Sequence, residues 1–330
     1  MDSDTRQPTR NLALDLVRVT EAAALSAGRF VGRGDKIGAD RAAVDGMRLI
    51  LNTVPMNGVV VIGEGEKDEA PMLFNGEFCG TGEPPDLDIA VDPIDGTRPV
   101  ANGSANAIST VALAPRGTMF NPGPFLYMYK IAVGREAKDV IDVEAPVADN
   151  LQKIAKAKGE DVNDLTVVIL DRPRHEKLVA EVRAAGARIR FIQDGDVAGA
   201  LMTALPETGI DVLLGIGGSP EAVLAAAGLK CLDGNIQTKL ILHNPEDLKK
   251  GNPMGYKEGQ VLMMEDLISS DDVFFAATGI TTGDLLEGVH YYSDYAHTES
   301  LVMRGLTQTS RRINATHRIS RLAEISTIPY

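Results

Sequence analysis

The sequence predicts an α/β protein, α+β in its layering, built as two lobes of mixed sheet covered by helices. Three observations carry this expectation. The 330 residues exceed the roughly 100–200 of an ordinary single domain. The second half alternates strand-like and helix-like segments in the βαβ manner. The first half holds two buried strands, each running directly into a cluster of acids.

Leu12, Leu16, Val19, Ala23 and Ala27 recur at helical spacing between Asn11 and Val31, and Gly32 and Gly34 end the pattern. Asp40 stands at the N-cap position of a second helix with the apolar stripe Ala43, Val44, Met47, Leu51 and Val54, stopped by Pro55. Gly58 to Ile62 then reads as a buried strand entering the acidic turn Gly63-Glu64-Gly65-Glu66-Lys67-Asp68-Glu69. After a Gly/Pro-rich stretch, Leu87 to Val91 is a short strand that closes on Asp92-Pro93-Ile94-Asp95-Gly96-Thr97. Further strands are expected at Ile108 to Ala114 and Tyr127 to Val133.

The alternation of the second half follows. Strands are expected at Leu165 to Leu170, Arg188 to Ile192, Asp211 to Gly215 and around Ile236 to Leu242, with helices at Pro173 to Ala185, Val197 to Ala204 and Pro220 to Leu229. The lobe boundary is placed between Asn150 and Leu165, where Lys153, Lys156 and Lys158 mark a polar helical stretch, giving lobes of 1–160 and 161–330. From Val261 onward, apolar runs such as Val273-Phe274-Phe275, Val289-His290-Tyr291-Tyr292 and Leu301-Val302-Met303 are expected to form a strand-rich extension that closes the second lobe.

Composition narrows the function. A hydrophobic fraction of 44% and a charged fraction of 24% are ordinary for a soluble globular protein and exclude disorder and collagen-like repeats. The net charge is -13, with no basic stripe, which disfavours nucleic acid and anionic membranes as partners. Cys79 and Cys231 lack CxxC companions, so reduced, buried thiols are expected rather than a zinc site. The polar stretch from Met1 to Arg10, and the lack of an apolar run near ~18 residues, predict a cytoplasmic protein.

Asp92-Pro93-Ile94-Asp95-Gly96-Thr97 is the most informative stretch. Pro93 restricts the backbone and Gly96 permits conformations other residues resist, so two carboxylates three positions apart can converge. Converging carboxylates repel unless a cation lies between them, and hard oxygen donors suit Mg²⁺ or Mn²⁺. Thr97 then places a hydroxyl where it can position an attacking water. The plain alternative is a type I turn with an Asx bond and a capping Asp. Glu64, Glu66, Asp68 and Glu69 at the end of another strand shift the balance toward a multi-metal site for phosphoryl transfer to water.

Other segments admit two readings each. Gly215-Ile216-Gly217-Gly218-Ser219-Pro220-Glu221 follows a strand and opens a helix, so its amides can hold phosphate or sugar oxygens, or simply make a tight turn. It lacks the GxGxxG spacing, and no GxxxxGK[ST] occurs. Glu221 either reaches a metal or favours the helix dipole. Arg172-Pro173-Arg174-His175 offers guanidinium forks for phosphate, or a solvated surface. Asp194-Gly195-Asp196 can accept from sugar hydroxyls or cap a helix. His175, His243, His290, His297 and His317 show neither HxxxH nor HExxH spacing, which disfavours a histidine metal site and a serine-histidine triad.

Together these segments resemble the class II fructose-1,6-bisphosphatases, a bacterial branch of the lithium-sensitive, metal-dependent sugar phosphatases. The match runs from about Asn11 to near the C-terminus, through Arg18-Val19-Thr20-Glu21-Ala22-Ala23, Gly34-Asp35-Lys36, Val61 to Glu66, Asp68 to Leu73, Asp92 to Thr97, Arg172 to His175, Asp194 to Ala198 and Gly217 to Glu221. The resemblance implies a two-lobed sugar-phosphatase fold with alternating layers of helices and mixed sheets. It implies hydrolysis of the 1-phosphate of fructose 1,6-bisphosphate to fructose 6-phosphate, in gluconeogenesis, with Mg²⁺ or Mn²⁺ as cofactor. By the same resemblance Asp40 and Glu64 hold one metal ion, and Asp92, Asp95 and Glu221 a second. Catalysis then falls to Thr97, Asp95 and Glu64, with Thr97 helping to activate the water. Asp95, Gly96, Thr97, Tyr127, Arg172, Pro173, Arg174, Asp194, Gly195, Asp196 and Gly218 would contact the sugar bisphosphate, and a homodimer or homotetramer is expected.

A related branch that also takes sedoheptulose bisphosphate often carries Glu where this chain has Asp95, which favours the fructose substrate. Arg98-Pro99-Val100 is expected as a loop at the site mouth. The alternatives are sedoheptulose bisphosphatase or inositol monophosphatase-like activity with the same metals. A sugar-phosphate-binding regulator without hydrolysis is disfavoured, because Asp40, Glu64, Asp92, Asp95, Thr97 and Glu221 are all present.

Overall fold

The computed structural model describes residues 11–65, 72–123, 125–242, 255–326 and 328. Two helices, α1 (Ala13–Gly28) and α2 (Lys36–Leu51), lead into β1 (Asn57–Ile62), β2 (Phe78–Cys79) and β3 (Asp86–Asp95). Then come α3 (Thr97–Asn102), β4 (Ile108–Pro115), β5 (Tyr127–Val133) and α4 (Val147–Lys158). The alternating stretch is β6 (Thr166–Leu170), α5 (Glu176–Ala185), β7 (Arg188–Ile192), α6 (Asp196–Met202), β8 (Val212–Gly218), α7 (Ser219–Cys231) and β9 (Asn235–Ile241). It is followed by β10 (Val261–Leu262), α8 (Met264–Leu267), β11 (Phe274–Gly279), β12 (His290–Tyr292), β13 (Tyr295–Arg304), β14 (Thr309–Arg318) and α9 (Ile319–Ile325).

The strands form two mixed sheets. Among the described residues, the first has eight strands in the order β12-β13-β11-β4-β3-β1-β2, with β14 along β13; the second has six, β10-β9-β5-β8-β6-β7. Strand alternation sorts side chains to opposite faces. On β4, Val111 and Leu113 pack with α1 and α2, while Ala112 and Ala114 pack with residues of α6 and α7. On the second sheet, Ile131, Val167 and Leu214 face α4 and α5, and Met128 and Leu213 face α7. The result is five layers: helices, sheet, helices, sheet, helices. α7 lies in the middle layer, and its residues from Ala222 to Leu229 are buried on every side, as a helix that is apolar all round must be.

Four expectations require correction. The helix that carries Asp40 starts a turn earlier, because Asp35 is its cap and accepts from the Gly38 N–H at 2.8 Å. Its first turn, Lys36-Ile37-Gly38-Ala39, leaves Ile37 exposed and buries only Ala39, so the apolar stripe gave the start too late. β3 does not end at Val91. It continues to Asp95 through a bulge, with Asp92 opposite Thr110 and Asp95 opposite Ile108. Arg98-Pro99-Val100 is helix rather than loop, with Pro99 and Val100 buried; Pro is tolerated in a first turn, which lacks intrahelical amide partners. Finally, β11 pairs with β4 and β13, so these last strands complete the first sheet rather than close the second lobe. Each sheet draws strands from both sides of residue 160. Met1 to Arg10, Glu66 to Pro71 and His243 lie outside the described residues.

Candidate active site

A cleft of 660 Å³ opens where several strand ends and helix starts meet. β1 and β3 are parallel, so their C-terminal ends bring Glu64 toward Asp92 and Asp95. β5 runs antiparallel to β8 with Tyr127 opposite Gly218, which sets the start of one strand beside the end of the other and the first turn of α7. The cleft is lined by Asp40, Asp92, Asp95, Gly96, Thr97, Tyr127, Arg172, Arg174, Asp194, Gly195, Asp196, Gly218 and Glu221. Glu64 is not among these lining residues but lies near enough to Asp40 and Glu221 to feel both charges. Pro173 does not line the cleft; it opens a single 3₁₀ turn, Pro173–His175, that spaces Arg172 and Arg174.

The β3 bulge shapes the acidic end. The Ile94 N–H donates to Asp92 Oδ1 at 3.1 Å, the Asx bond that the plain alternative called for, yet both carboxylates face the same cleft. Gly96 follows at φ 111°, and a Cβ there would press on Ala107, so this position favours glycine. Thr97 therefore begins α3 with its hydroxyl directed to α2, where Oγ1 donates to Asp40 Oδ1 at 3.2 Å.

The acids oppose one another. Burial, then Asp95, then Glu221 and Glu64, hold the Asp92 carboxyl well above the usual range. Burial, then Asp196 and Glu221, do the same to Asp95, against an Ala198 N–H that donates to its Oδ2 at 3.4 Å. Glu221 is raised by burial and by Asp196, and its Oε2 is buried without a hydrogen-bond partner. Glu64 remains an exposed residue overall, but desolvation of its carboxyl, Asp40 and Glu221 push it up to about 7. Asp40 is raised by desolvation, offset in part by the Thr97 hydrogen bond. Like charges gathered at this electrostatic disadvantage, all hard oxygen donors and one of them orphaned, fit a hard divalent cation. Among the described residues no three of them meet as a finished ligand set.

Two arginines also line the cleft. Arg172 bonds to Asp194 and to the Asp171 carbonyl, the latter at 2.8 Å. Arg174 donates twice to the Ile216 carbonyl, at 3.2 and 2.7 Å, and lies 5.7 Å from the centroid of the Tyr127 ring. Desolvation and the nearby charge of Arg172 lower the Arg174 pKa. Two guanidinium groups held close by protein acceptors form a seat for a multiply charged anion.

Sequence reading missed several participants. Lys36 and Arg98 also line the cleft; the sequence reading gave neither a role in the site. Lys130 and His175 are buried behind it. Lys130 carries a signal, as the one charge in Tyr127–Val133. His175 is structural: Nδ1 lies 2.7 Å from the Leu170 carbonyl and Nε2 accepts from the Ile216 N–H at 2.8 Å, which fixes a neutral ring and ties β8 to β6.

Comparison with known proteins gives consistent results. The family model described as bacterial fructose-1,6-bisphosphatase, glpX-encoded, matches residues 10–317. The fructose-1,6-bisphosphatase 1 class 2 of Escherichia coli (strain K12) is 46% identical over 325 residues, covering 94% of this chain and 96% of that protein. The fructose-1,6-bisphosphatase class 2 proteins of Escherichia coli O6:H1 and Shigella flexneri match with the same identity and coverage.

Proposed function

The chain belongs to the glpX-encoded bacterial fructose-1,6-bisphosphatase family, and from that membership we propose that it hydrolyses fructose 1,6-bisphosphate to fructose 6-phosphate and phosphate, in gluconeogenesis. It is a phosphoric monoester hydrolase. The observation that carries the site assignment is one cleft lined both by the Thr97–Asp40 hydrogen bond with a carboxylate cluster and by Arg172 and Arg174.

Asp40 and Glu64 would hold one cation, and Asp92, Asp95 and Glu221 another. When bound, Mg²⁺ or Mn²⁺ supplies positive charge that offsets the phosphate and the leaving oxygen. The chain's own residues do the rest. Thr97 Oγ1 donates to Asp40, so its lone pairs face away from Asp40 and accept a hydrogen bond from the attacking water. As the water oxygen bonds to phosphorus, its proton passes to Thr97 Oγ1 while the hydroxyl proton moves to Asp40 Oδ1. The bond from phosphorus to the sugar oxygen breaks, and that oxygen is protonated from solvent. Arg172 and Arg174 anchor the second phosphate, and Asp194 and Asp196 accept from sugar hydroxyls, which fixes the 1-phosphate at the acidic end.

We place the enzyme in the cytoplasm as a homodimer or homotetramer; among the described residues no helix is long and apolar enough to cross a membrane. The test is ³¹P NMR of the products with Mg²⁺ and with Mn²⁺, alongside sedoheptulose 1,7-bisphosphate and inositol monophosphate. The reading expects fructose 6-phosphate and inorganic phosphate. Fructose 1-phosphate as product would reverse the assigned ends of the cleft, faster turnover of another substrate would replace the substrate assignment, and binding without release would make the protein a regulator.

A further inference from the structure

One acid in the cleft differs from the rest. Asp196, the first residue of α6, is buried, and its Oδ2 accepts from Lys130 Nζ at 2.6 Å. Lys130 is 1% exposed in the middle of β5, and a lysine is buried this completely only when its ammonium is paired. The charge of Asp196 acts on both Asp95 and Glu221, and the charge of Lys130 acts on the same two groups with opposite sign. Without Lys130, Asp196 would be one more uncompensated carboxylate facing the cluster. The packing leaves the pair no slack: a Cβ at Gly217 would collide with Asp196 Oδ2 and come within 3.0 Å of Lys130 Nζ.

We propose that Lys130 is a positioning residue that divides the cleft: it holds the Asp196 carboxylate in the sugar-binding half and keeps it from joining Asp92, Asp95 and Glu221 as a cation ligand. The proposal rests on the phosphatase reading of the cleft. A carboxylate fixed through Oδ2 offers Oδ1 to a sugar hydroxyl in one orientation. The same ammonium cancels the charge that would otherwise repel an anionic substrate.

The test compares Lys130→Met, Asp196→Asn and the double variant in the full chain. The readouts are kcat and KM for fructose 1,6-bisphosphate, Mn²⁺ affinity by electron paramagnetic resonance without substrate, and thermal unfolding to score the folded fraction. Lys130→Met is expected to raise KM by about tenfold or more, with kcat within about threefold. It is also expected to tighten Mn²⁺ binding about fivefold or more, because a freed carboxylate adds ligand charge. Adding Asp196→Asn returns Mn²⁺ affinity to within about twofold of the parent and gives the KM of Asp196→Asn alone, as residues acting through one contact should. A merely structural Lys130 would lower only the folded fraction, and unchanged KM and Mn²⁺ affinity in the folded protein would overturn the proposal. A further rise in KM, about tenfold, on adding Lys130→Met to Asp196→Asn would overturn it too, because Lys130 would then act without Asp196. If Lys130→Met alone fails to fold, the double variant decides on the same KM criterion, since a neutral buried pair is better tolerated than a lone charge. No phosphate release by the parent would count against the phosphatase reading, while the Mn²⁺ titrations would still decide the role of Lys130.

Discussion

Thr97→Val retains the branched shape at the first residue of α3 and removes one hydroxyl. In the structure that hydroxyl donates to Asp40 at 3.2 Å, partly screened from solvent. Losing such a bond costs about 0.5–1.5 kcal/mol, which for a chain of this length lowers Tm by only about 1–2 °C. Catalysis is hit far harder. A positioned acid–base group contributes about 10²–10⁴ in rate, or about 3–5 kcal/mol of barrier at 1.36 kcal/mol per decade. The expected outcome is kcat down by that factor with KM within about threefold, because Arg172 and Arg174 still seat the substrate. The assay is phosphate release at saturating substrate with Mn²⁺, paired with thermal unfolding. A folded Thr97→Val enzyme with kcat within about threefold of the parent would refute the assignment of the hydroxyl.

Three further outcomes are expected. Glu21, whose Oε1 lies 3.4 Å from Thr298 Oγ1 and 3.7 Å from His317 Nε2, is pushed up to about 7 by burial. Its folded pKa is raised, so its favourable contribution is full below about pH 4.5 and is lost as pH rises through about 7; Glu21→Gln should gain up to about 3 kcal/mol at pH 8 and little at pH 4.5, and a lower Tm at pH 8 would count against it. Burial pulls the His175 pKa below its usual 6.5, so its stabilisation is present above that pH and lost as pH falls. His175→Phe should cost about 2–4 kcal/mol at pH 8, by stranding the Leu170 carbonyl and Ile216 amide, and should flatten the fall of Tm between about pH 6.5 and 5; an unchanged slope would show that another group titrates. Gly217→Ala should raise KM about tenfold by displacing Asp196, with a smaller effect on kcat, and parent kinetics would show that the pair has room to move.

Local pattern made much of the molecule legible. Tyr127–Val133 and Arg188–Ile192 are strands over the bounds their residues indicate, and Glu64 follows β1 while Asp92 and Asp95 fall in the last residues of β3. What escaped was non-local or counter to residue type. Apolar runs from Phe274 onward say strand but not which sheet, because register is settled by partners far along the chain. Asp40 looked like a cap because the true first turn, Lys36 to Ala39, leaves Ile37 exposed and buries only Ala39. The helix at Thr97 hides in a sequence with Pro99. The cleft residues came from acidic turns, a glycine loop and an arginine pair, each equivocal alone and decisive only in combination. Lys130 was passed over because a lysine is ordinarily a surface residue, and its partner lies 66 positions away.

The most direct test of the central claim is phosphate release from fructose 1,6-bisphosphate by the parent and by Asp92→Asn, each stripped with a chelator and then given Mg²⁺ or Mn²⁺. The account predicts parent activity that stops on chelation and returns with metal. It predicts a fall of at least about 100-fold in Asp92→Asn, with thermal stability kept or raised because a half-buried, repelled carboxylate is gone. Turnover that survives chelation, or a folded Asp92→Asn protein working at the parent rate, would contradict it.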